Sequence, residues 1–118
     1  MKKVLSVTAL ILLLSCAAFA GRQDFELHNY SGKTIVKIYV SPSYLDVYKS
    51  QHQFTGGSLP LKSGKSTTLR FTNGENRNTQ YWDMLVLFAD DDHMQYRRLD
   101  LLNIYKITLD GNGDIFTK

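Results

Sequence analysis

Three oxygen-bearing side chains near the carboxyl end of the sequence have the spacing of metal ligands. Asp110, Asn112 and Asp114 match the first ligand positions of a calcium-binding loop, in which oxygen ligands alternate along the chain. The glycine expected next is replaced by Ile115, and no glutamate follows to act as the bidentate ligand. A plain turn without a cofactor is therefore the prediction, and calcium is the alternative. Calcium gains support if the second acidic turn, residues 90–92, lies at the same end of the fold.

Residues suited to catalysis are scattered along the sequence. His28, His52 and His93 lie in three different segments, so a zinc site would require them to converge in the fold. Ser41 and Ser43 flank a proline and lack the glycine pattern of a nucleophile elbow. The sequence therefore predicts a protein without enzymatic activity. A small hydrolase is the third alternative, after a binding module and a cation-dependent structural or adhesion module.

The tyrosines indicate a binding surface. Seven tyrosines are more than one small core needs, and their rings combine an apolar body with a polar hydroxyl that suits recognition. Tyr44, Leu45 and Tyr48 follow a Ser-Pro-Ser segment and are the predicted contacts to a partner. The alternative is that most tyrosine rings belong to the core, with their hydroxyls at its rim.

The first twenty residues have the features of a secretory signal peptide. Two lysines precede an apolar stretch over residues 4–14, and Ala18 and Ala20 occupy the positions that a signal peptidase reads. We therefore expect cleavage before Gly21. The apolar stretch is shorter than the roughly 20 residues that cross a bilayer, so the sequence predicts no membrane span.

Cys16 offers a second route of processing. It ends the segment Leu-Leu-Ser-Cys, which resembles a bacterial lipobox whose cysteine would be acylated. Secretion into the periplasm is the prediction, and a lipid anchor through Cys16 is the alternative. Both routes leave the folded domain without an internal disulfide or a cysteine nucleophile, because Cys16 is the sole cysteine.

The charge of the mature domain is close to neutral. Removal of residues 1–20 takes away two of the fourteen Lys and Arg residues and none of the eleven Asp and Glu residues, so the formal charge falls from +3 to +1. This balance favours neither nucleic acid nor an anionic membrane as a partner. We expect a binding or inhibitor-type module whose partner is an envelope protein or a glycan, with the oligomeric state left open.

One apolar stretch, residues 81–92, organises the predicted fold. Trp82, Met84, Val86 and Phe88 give one apolar face, and Asp83 is the only charge on the other face before the acidic turn. A strand of this composition is expected in the middle of a sheet and covered on both faces.

Shorter, half-polar strands are predicted around this one, over residues 24–30, 34–41, 66–71, 94–99, 105–109 and 115–117. The turn Ser31-Gly32-Lys33 is expected to join the first two strands as a hairpin, with Val36, Ile38 and Val40 on one face. Ser43 begins one or two helical turns or a packed loop. Turn signals about every ten residues predict a single all-β domain over residues 21–118, an antiparallel β-sandwich, with a small β-barrel as the alternative.

Two motifs begin the mature chain: Phe25-x-Leu27-x-Asn29-x-Ser31-Gly32, and then Ile38-Tyr39-Val40-Ser41-Pro42-Ser43. Three shorter motifs follow: Trp82-Asp83, Phe88-Ala89-Asp90 and Asp100-Leu101. In these motifs the chain resembles a group of small secreted bacterial proteins of unassigned function. The resemblance spans nearly the whole mature chain. It implies a β-sandwich and export from the cell, and it implies no activity.

Overall fold

The computed structural model describes residues 22–45, 54–55, 58–71 and 78–118, and these residues form an all-β domain with two sheets packed together. The predicted cleavage site at Ala18, Ala20 and Gly21, the cysteine Cys16, and Tyr48 lie outside the described residues. Among the described residues, no helix has the length and hydrophobicity needed to cross a membrane.

Eight strands and one turn of 3-10 helix, Ser43–Leu45, are present in the described ranges. The strands are β1 (Phe25–Asn29), β2 (Ile35–Pro42), β3 (Phe54–Thr55), β4 (Lys65–Phe71), β5 (Tyr81–Phe88), β6 (His93–Asp100), β7 (Lys106–Leu109) and β8 (Ile115–Thr117).

The strands form a five-stranded sheet in the order β3-β4-β1-β7-β8 and a three-stranded sheet in the order β2-β5-β6. All neighbouring strands are antiparallel except β1 and β7, which pair in parallel. The predicted all-β sandwich is confirmed, and so is the place of β5 in the middle of its sheet.

The core lies between the two sheets and contains large aliphatic and aromatic side chains from both. Burying each such side chain contributes about 1.5–3 kcal/mol, so this layer is the main source of stability. Its members are Phe25, Leu27, Ile35, Ile38, Val40, Leu61, Leu69, Trp82, Met84, Val86, Phe88, Leu99, Leu101, Ile107 and Leu109.

Strand β5 is covered on one face rather than two. Trp82, Met84, Val86 and Phe88 are buried, as the alternation predicted. The opposite face is partly open to solvent, because its leucines are only half-buried and line a wide, shallow depression of about 410 Å³. The prediction that both faces are covered is therefore wrong. The long apolar run predicted that other elements cover both faces of β5, whereas Leu85 and Leu87 on the outer face are partly exposed to solvent.

The predicted hairpin of β1 and β2 is also wrong, because the two strands belong to different sheets. The chain turns a corner after β1 around the buried side chain of Asn29. Asn29 Nδ2 donates to the carbonyl oxygens of Lys33 (2.8 Å) and Leu61 (2.9 Å), and its Oδ1 accepts from the backbone N–H (3.0 Å) and the hydroxyl (2.6 Å) of Ser31. Gly32 supplies the left-handed backbone that this corner requires, at φ 80°.

Val36 faces solvent, although the alternation placed it with Ile38 and Val40. The pairing of β2 with β5 shifts register between Ile35 and Lys37, which marks a β-bulge. Ile35 takes the inward position instead, and its backbone exchanges two hydrogen bonds with Leu61. Val36 is consequently 38 % exposed.

Candidate binding site at the start of β5

A second β-bulge, between β5 and β6, shapes the surface at the start of β5. Trp82 pairs with Leu99 and Met84 pairs with Tyr96, so the two residues Arg97 and Arg98 lie opposite the single residue Asp83. Arg98 has a left-handed backbone at φ 56°, which is uncommon for a residue other than glycine. The bulge interrupts the alternation of β6 and leaves both arginines exposed.

The Asp83 carboxylate holds this bulge together from inside. It is 2 % exposed, and its Oδ1 accepts hydrogen bonds from the Arg98 backbone N–H (3.0 Å) and the Ser43 hydroxyl (2.6 Å). Its Oδ2 lies 3.5 Å from the Arg97 guanidinium. A buried carboxylate needs such partners, since an unpaired buried charge is costly. Asp83 thereby fixes the 3-10 turn and the bulge relative to each other.

Arg98 and two tyrosines form the exposed part of the site. The guanidinium carbon of Arg98 lies 4.6 Å from the centre of the Tyr81 ring, which is a cation–π geometry. Tyr44 is 68 % exposed and Tyr81 is 38 % exposed. Together these residues line a shallow depression of about 360 Å³, which we call the aromatic-arginine patch: Ser43, Tyr44, Thr79, Gln80, Tyr81 and Arg98.

The floor of the patch is anchored to the core. The buried indole of Trp82 donates its Nε1–H to the Thr79 carbonyl oxygen at 3.0 Å, and the Gln23 amide donates to the same oxygen at 3.3 Å. Gln80 Nε2 donates to Asp100 Oδ2 at 3.1 Å. The hydrogen bond from the side-chain amide of Asn103, together with the one from Gln80, lowers the pKa of the Asp100 carboxyl below its ordinary value. Residues 79–80 are therefore held in a fixed position beside Tyr81.

Two of the three predicted partner contacts lie at or beside the patch. Tyr44 belongs to the patch, and Leu45, which follows it in the same 3-10 turn, is 40 % exposed. The third residue, Tyr48, lies outside the described residues, so its role stays a prediction. The alternative, that most tyrosine rings belong to the core, is wrong for the described residues, because none of the described tyrosines is buried. Four of them are exposed: Tyr30, Tyr44, Tyr81 and Tyr105.

Sequence reasoning missed Arg98 and gave no role to Tyr81 or Asp83 in a site. A signal for the bulge was present in β6, where Met94 and Tyr96 point inward and strict alternation would place Arg98 inside and Leu99 outside. A buried arginine beside an exposed leucine is an unfavourable pattern. One inserted residue restores Leu99 to the core, where it is 6 % exposed.

The predicted calcium ligands form a hydrogen-bonded turn. Asp110 Oδ1 accepts from the backbone N–H groups of Asn112 and Asp114, both at 2.9 Å, which is the bonding of an Asx turn. The Tyr96 hydroxyl donates to the Gly113 carbonyl oxygen. Burial raises the pKa of Tyr96, and the nearby carboxylates of Asp110 and Asp114 raise it further.

The second acidic turn is paired with a lysine. Lys33 Nζ lies 2.8 Å from Asp92 Oδ2 and 2.9 Å from Asp90 Oδ2. These bonds lower the pKa of both carboxyls and raise that of Lys33. Across the described ranges, no three acidic, histidine or cysteine side chains form a group that could hold a metal ion. Calcium binding through Asp110, Asn112 and Asp114 stays the alternative to a plain turn.

The motif residues named in the sequence have structural roles where the chain is described. Asn29 and Ser31 build the corner after β1, and the Ser43 hydroxyl of the Ser-Pro-Ser segment bonds to Asp83. Asp90 pairs with Lys33. These motif residues thus help to hold the domain together. Ser43 is the one motif residue that lines the aromatic-arginine patch.

Compared with family models, curated proteins and solved structures, the chain gives no match. Inference about function therefore depends on the geometry of the surface.

Proposed function

We propose that the mature domain is a secreted, periplasmic binding or inhibitor-type module without catalytic activity, and that it binds an envelope component through the aromatic-arginine patch. The leader sequence supports export, and the patch supports recognition. Hydroxyl-bearing aromatic rings and arginine are the residue types enriched where proteins contact partners.

The observation that carries this proposal is the exposure of Tyr44 beside Arg98 on an anchored floor. Tyr44 is 68 % exposed, although burying a tyrosine ring would add to the stability of so small a domain. The Ser43 hydroxyl in the same depression already donates its hydrogen to Asp83, and none of the described residues that line the depression is a histidine. The lining therefore favours recognition over nucleophilic catalysis.

A capture experiment tests the proposal. The mature domain, residues 21–118, is immobilised and exposed to an envelope extract, and the retained material is compared with that retained by Tyr44→Ala. We expect the variant to lose the specific partner, with retention falling at least about tenfold, because truncation of a central interface tyrosine often costs 2 kcal/mol or more.

Tyr30→Ala is the matched control. Tyr30 is also exposed, at 57 %, and lies at the other end of the sandwich, where its backbone N–H bonds to Leu109. The control should retain the partner fully. Equal loss from both variants, or equal retention by both, would remove the aromatic-arginine patch as the binding site.

A further inference from the structure

We infer that the aromatic-arginine patch receives a carboxylate from an acidic peptide segment of a protein partner. The inference rests on the proposed binding function and adds the chemistry of the partner to it. Three observations carry the inference: the charge balance around the bulge, the fixed position of the Arg98 guanidinium, and the contact of that guanidinium with the Tyr81 ring.

Among the described residues that line the depression, Arg98 is the single cation. Arg97 is matched by the Asp83 carboxylate at 3.5 Å, so this pair is close to neutral. Arg98 has no carboxylate partner among the described residues, and its guanidinium faces the depression instead. An acidic group is therefore the complementary charge at this site.

The guanidinium of Arg98 is held in place before any ligand arrives. Its backbone N–H is bonded to Asp83 at 3.0 Å, and its guanidinium rests over the Tyr81 ring at 4.6 Å. A guanidinium that lies over a ring can still present the paired N–H groups at its edge, and these groups bind a carboxylate through two parallel hydrogen bonds. A group fixed in advance loses little conformational entropy on binding.

The contact between Arg98 and Tyr81 also favours a peptide over a glycan as the occupant. A sugar ring binds by stacking on a free aromatic face, and one face of Tyr81 is already covered by Arg98. Tyr44 stands exposed at the side of the depression, where it can pack against the apolar part of a peptide. The arrangement therefore favours an acidic side chain flanked by apolar residues.

An NMR titration of the mature domain tests the inference directly. The first probe is a blocked peptide with the sequence Ala-Glu-Phe-Glu-Ala, and the second is the same peptide with glutamine in place of both glutamates. We expect the glutamate peptide to shift the amide signals of Tyr44, Gln80 and Arg98. The glutamine peptide should bind at least about tenfold more weakly, because charge-assisted hydrogen bonds are roughly twice as strong as neutral ones.

Arg98→Gly identifies the group that binds. Glycine suits the left-handed backbone at this position, so the variant should stay folded while losing the preference for the glutamate peptide. Arg70→Gln is the control, because Arg70 is also an exposed arginine but lies on β4 of the other sheet. It should keep the full preference.

Equal binding of the two peptides, an unchanged preference in Arg98→Gly, or no shift with either peptide would each overturn the inference. A stronger response to an N-acetylglucosamine trimer than to the glutamate peptide would overturn it as well. Partner capture that depends on Tyr44 would still stand in all these cases. Failure of the carboxylate chemistry is thereby separated from failure of the binding function.

Discussion

The two ends of strand β5 use the same kinds of residue in opposite ways. At its carboxyl end, the closed end, Lys33 pairs with Asp90 and Asp92 and lies 5.5 Å from the centre of the Phe88 ring. At its amino end, the aromatic-arginine patch, Arg98 lies over Tyr81 without a carboxylate partner among the described residues. A cation lies over a ring at both ends, and among the described residues only the cation at the closed end is paired with carboxylates.

This difference separates residues that hold the fold from residues available to a partner. Charges that are matched within the domain contribute to stability and have little left to offer a ligand. The pair Asp83 and Arg97 belongs to that first kind although it lies beside the patch. Changes at the closed end should therefore alter stability and leave binding intact, whereas changes to Tyr44 or Arg98 should do the reverse.

The largest effect is expected from Asn29→Ala at the closed end. Asn29 is fully buried, and its removal leaves the N–H of Ser31 without an acceptor. It also takes one of two donors from the carbonyl oxygen of Leu61, which keeps the Ile35 N–H, and one from that of Lys33, which keeps the Ser31 hydroxyl. We expect a loss of about 2–4 kcal/mol in the free energy of unfolding, measured by urea denaturation.

Asn103→Ala is the control for that variant, since Asn103 is an exposed asparagine with one side-chain bond, to Asp100. It should change stability by less than about 1 kcal/mol. A loss in Asn29→Ala no larger than in this control would contradict the role given to the corner after β1.

The next effect concerns Asp83, where two substitutions separate hydrogen bonding from charge. Asp83→Asn can keep an oxygen at the position that accepts from Ser43 and from the Arg98 N–H, and it gives up the ion pair with the half-exposed Arg97. It should cost about 1 kcal/mol or less. Asp83→Ala leaves those donors unsatisfied and should cost about 2–3 kcal/mol.

Asp83→Ala should also weaken capture of the partner, because it releases the backbone of Arg98. Thermal or urea unfolding gives the stability and the capture experiment gives the binding. If Asp83→Asn were as damaging as Asp83→Ala, the charge would be the stabilising feature and the hydrogen bonds would not.

A smaller effect should depend on pH. In the folded state the Lys33 ammonium lowers the pKa of Asp90 and Asp92 below their ordinary value of 3.8. Their contribution is therefore present above pH 3.8 and is lost as the pH falls through the lowered values. The pKa of Lys33 is raised above 10.5, so its contribution is present below pH 10.5 and is lost as the pH rises through the raised value.

Lys33→Met should accordingly melt below the parent protein at neutral pH, and the gap should close in acid and in added salt. Melting temperature measured from pH 2 to pH 8 checks this. A gap of constant size across that range would show that the loss comes from packing of the lysine stem.

The smallest effect on stability is expected from Tyr44→Ala. Because Tyr44 is 68 % exposed, its truncation should change the free energy of unfolding by no more than about 0.5 kcal/mol. The same variant should show the greatest loss of partner capture. A large loss of stability would instead make Tyr44 a structural residue and would end the contrast between the two ends of β5.

Local sequence pattern was enough to find most strands and the buried face of β5, since alternation of apolar residues reports directly on burial. It was not enough to assign strands to sheets. The turn at Ser31 and Gly32 looks the same whether it closes a hairpin or a corner, and the bonds from Asn29 to Leu61 join residues far apart in the chain. The parallel pairing of β1 with β7 is equally non-local.

The site was predicted only in part for a similar reason. Tyr44 and Leu45 were found because their residue types suit a surface, whereas Arg98 reaches the patch through a bulge that depends on the partner strand. The break in alternation at Arg98 and Leu99 was readable in the sequence. Its consequence, a guanidinium placed over Tyr81, required the register of β5 and β6.

The most direct test is a cross-saturation NMR map of the mature domain bound to the partner that it captures. We predict that the affected amides fall within residues 43–45, 79–81 and 97–98, while residues 30–33 and 90–92 are unaffected. A footprint on the closed end, with none at Tyr44 and Arg98, would contradict the account.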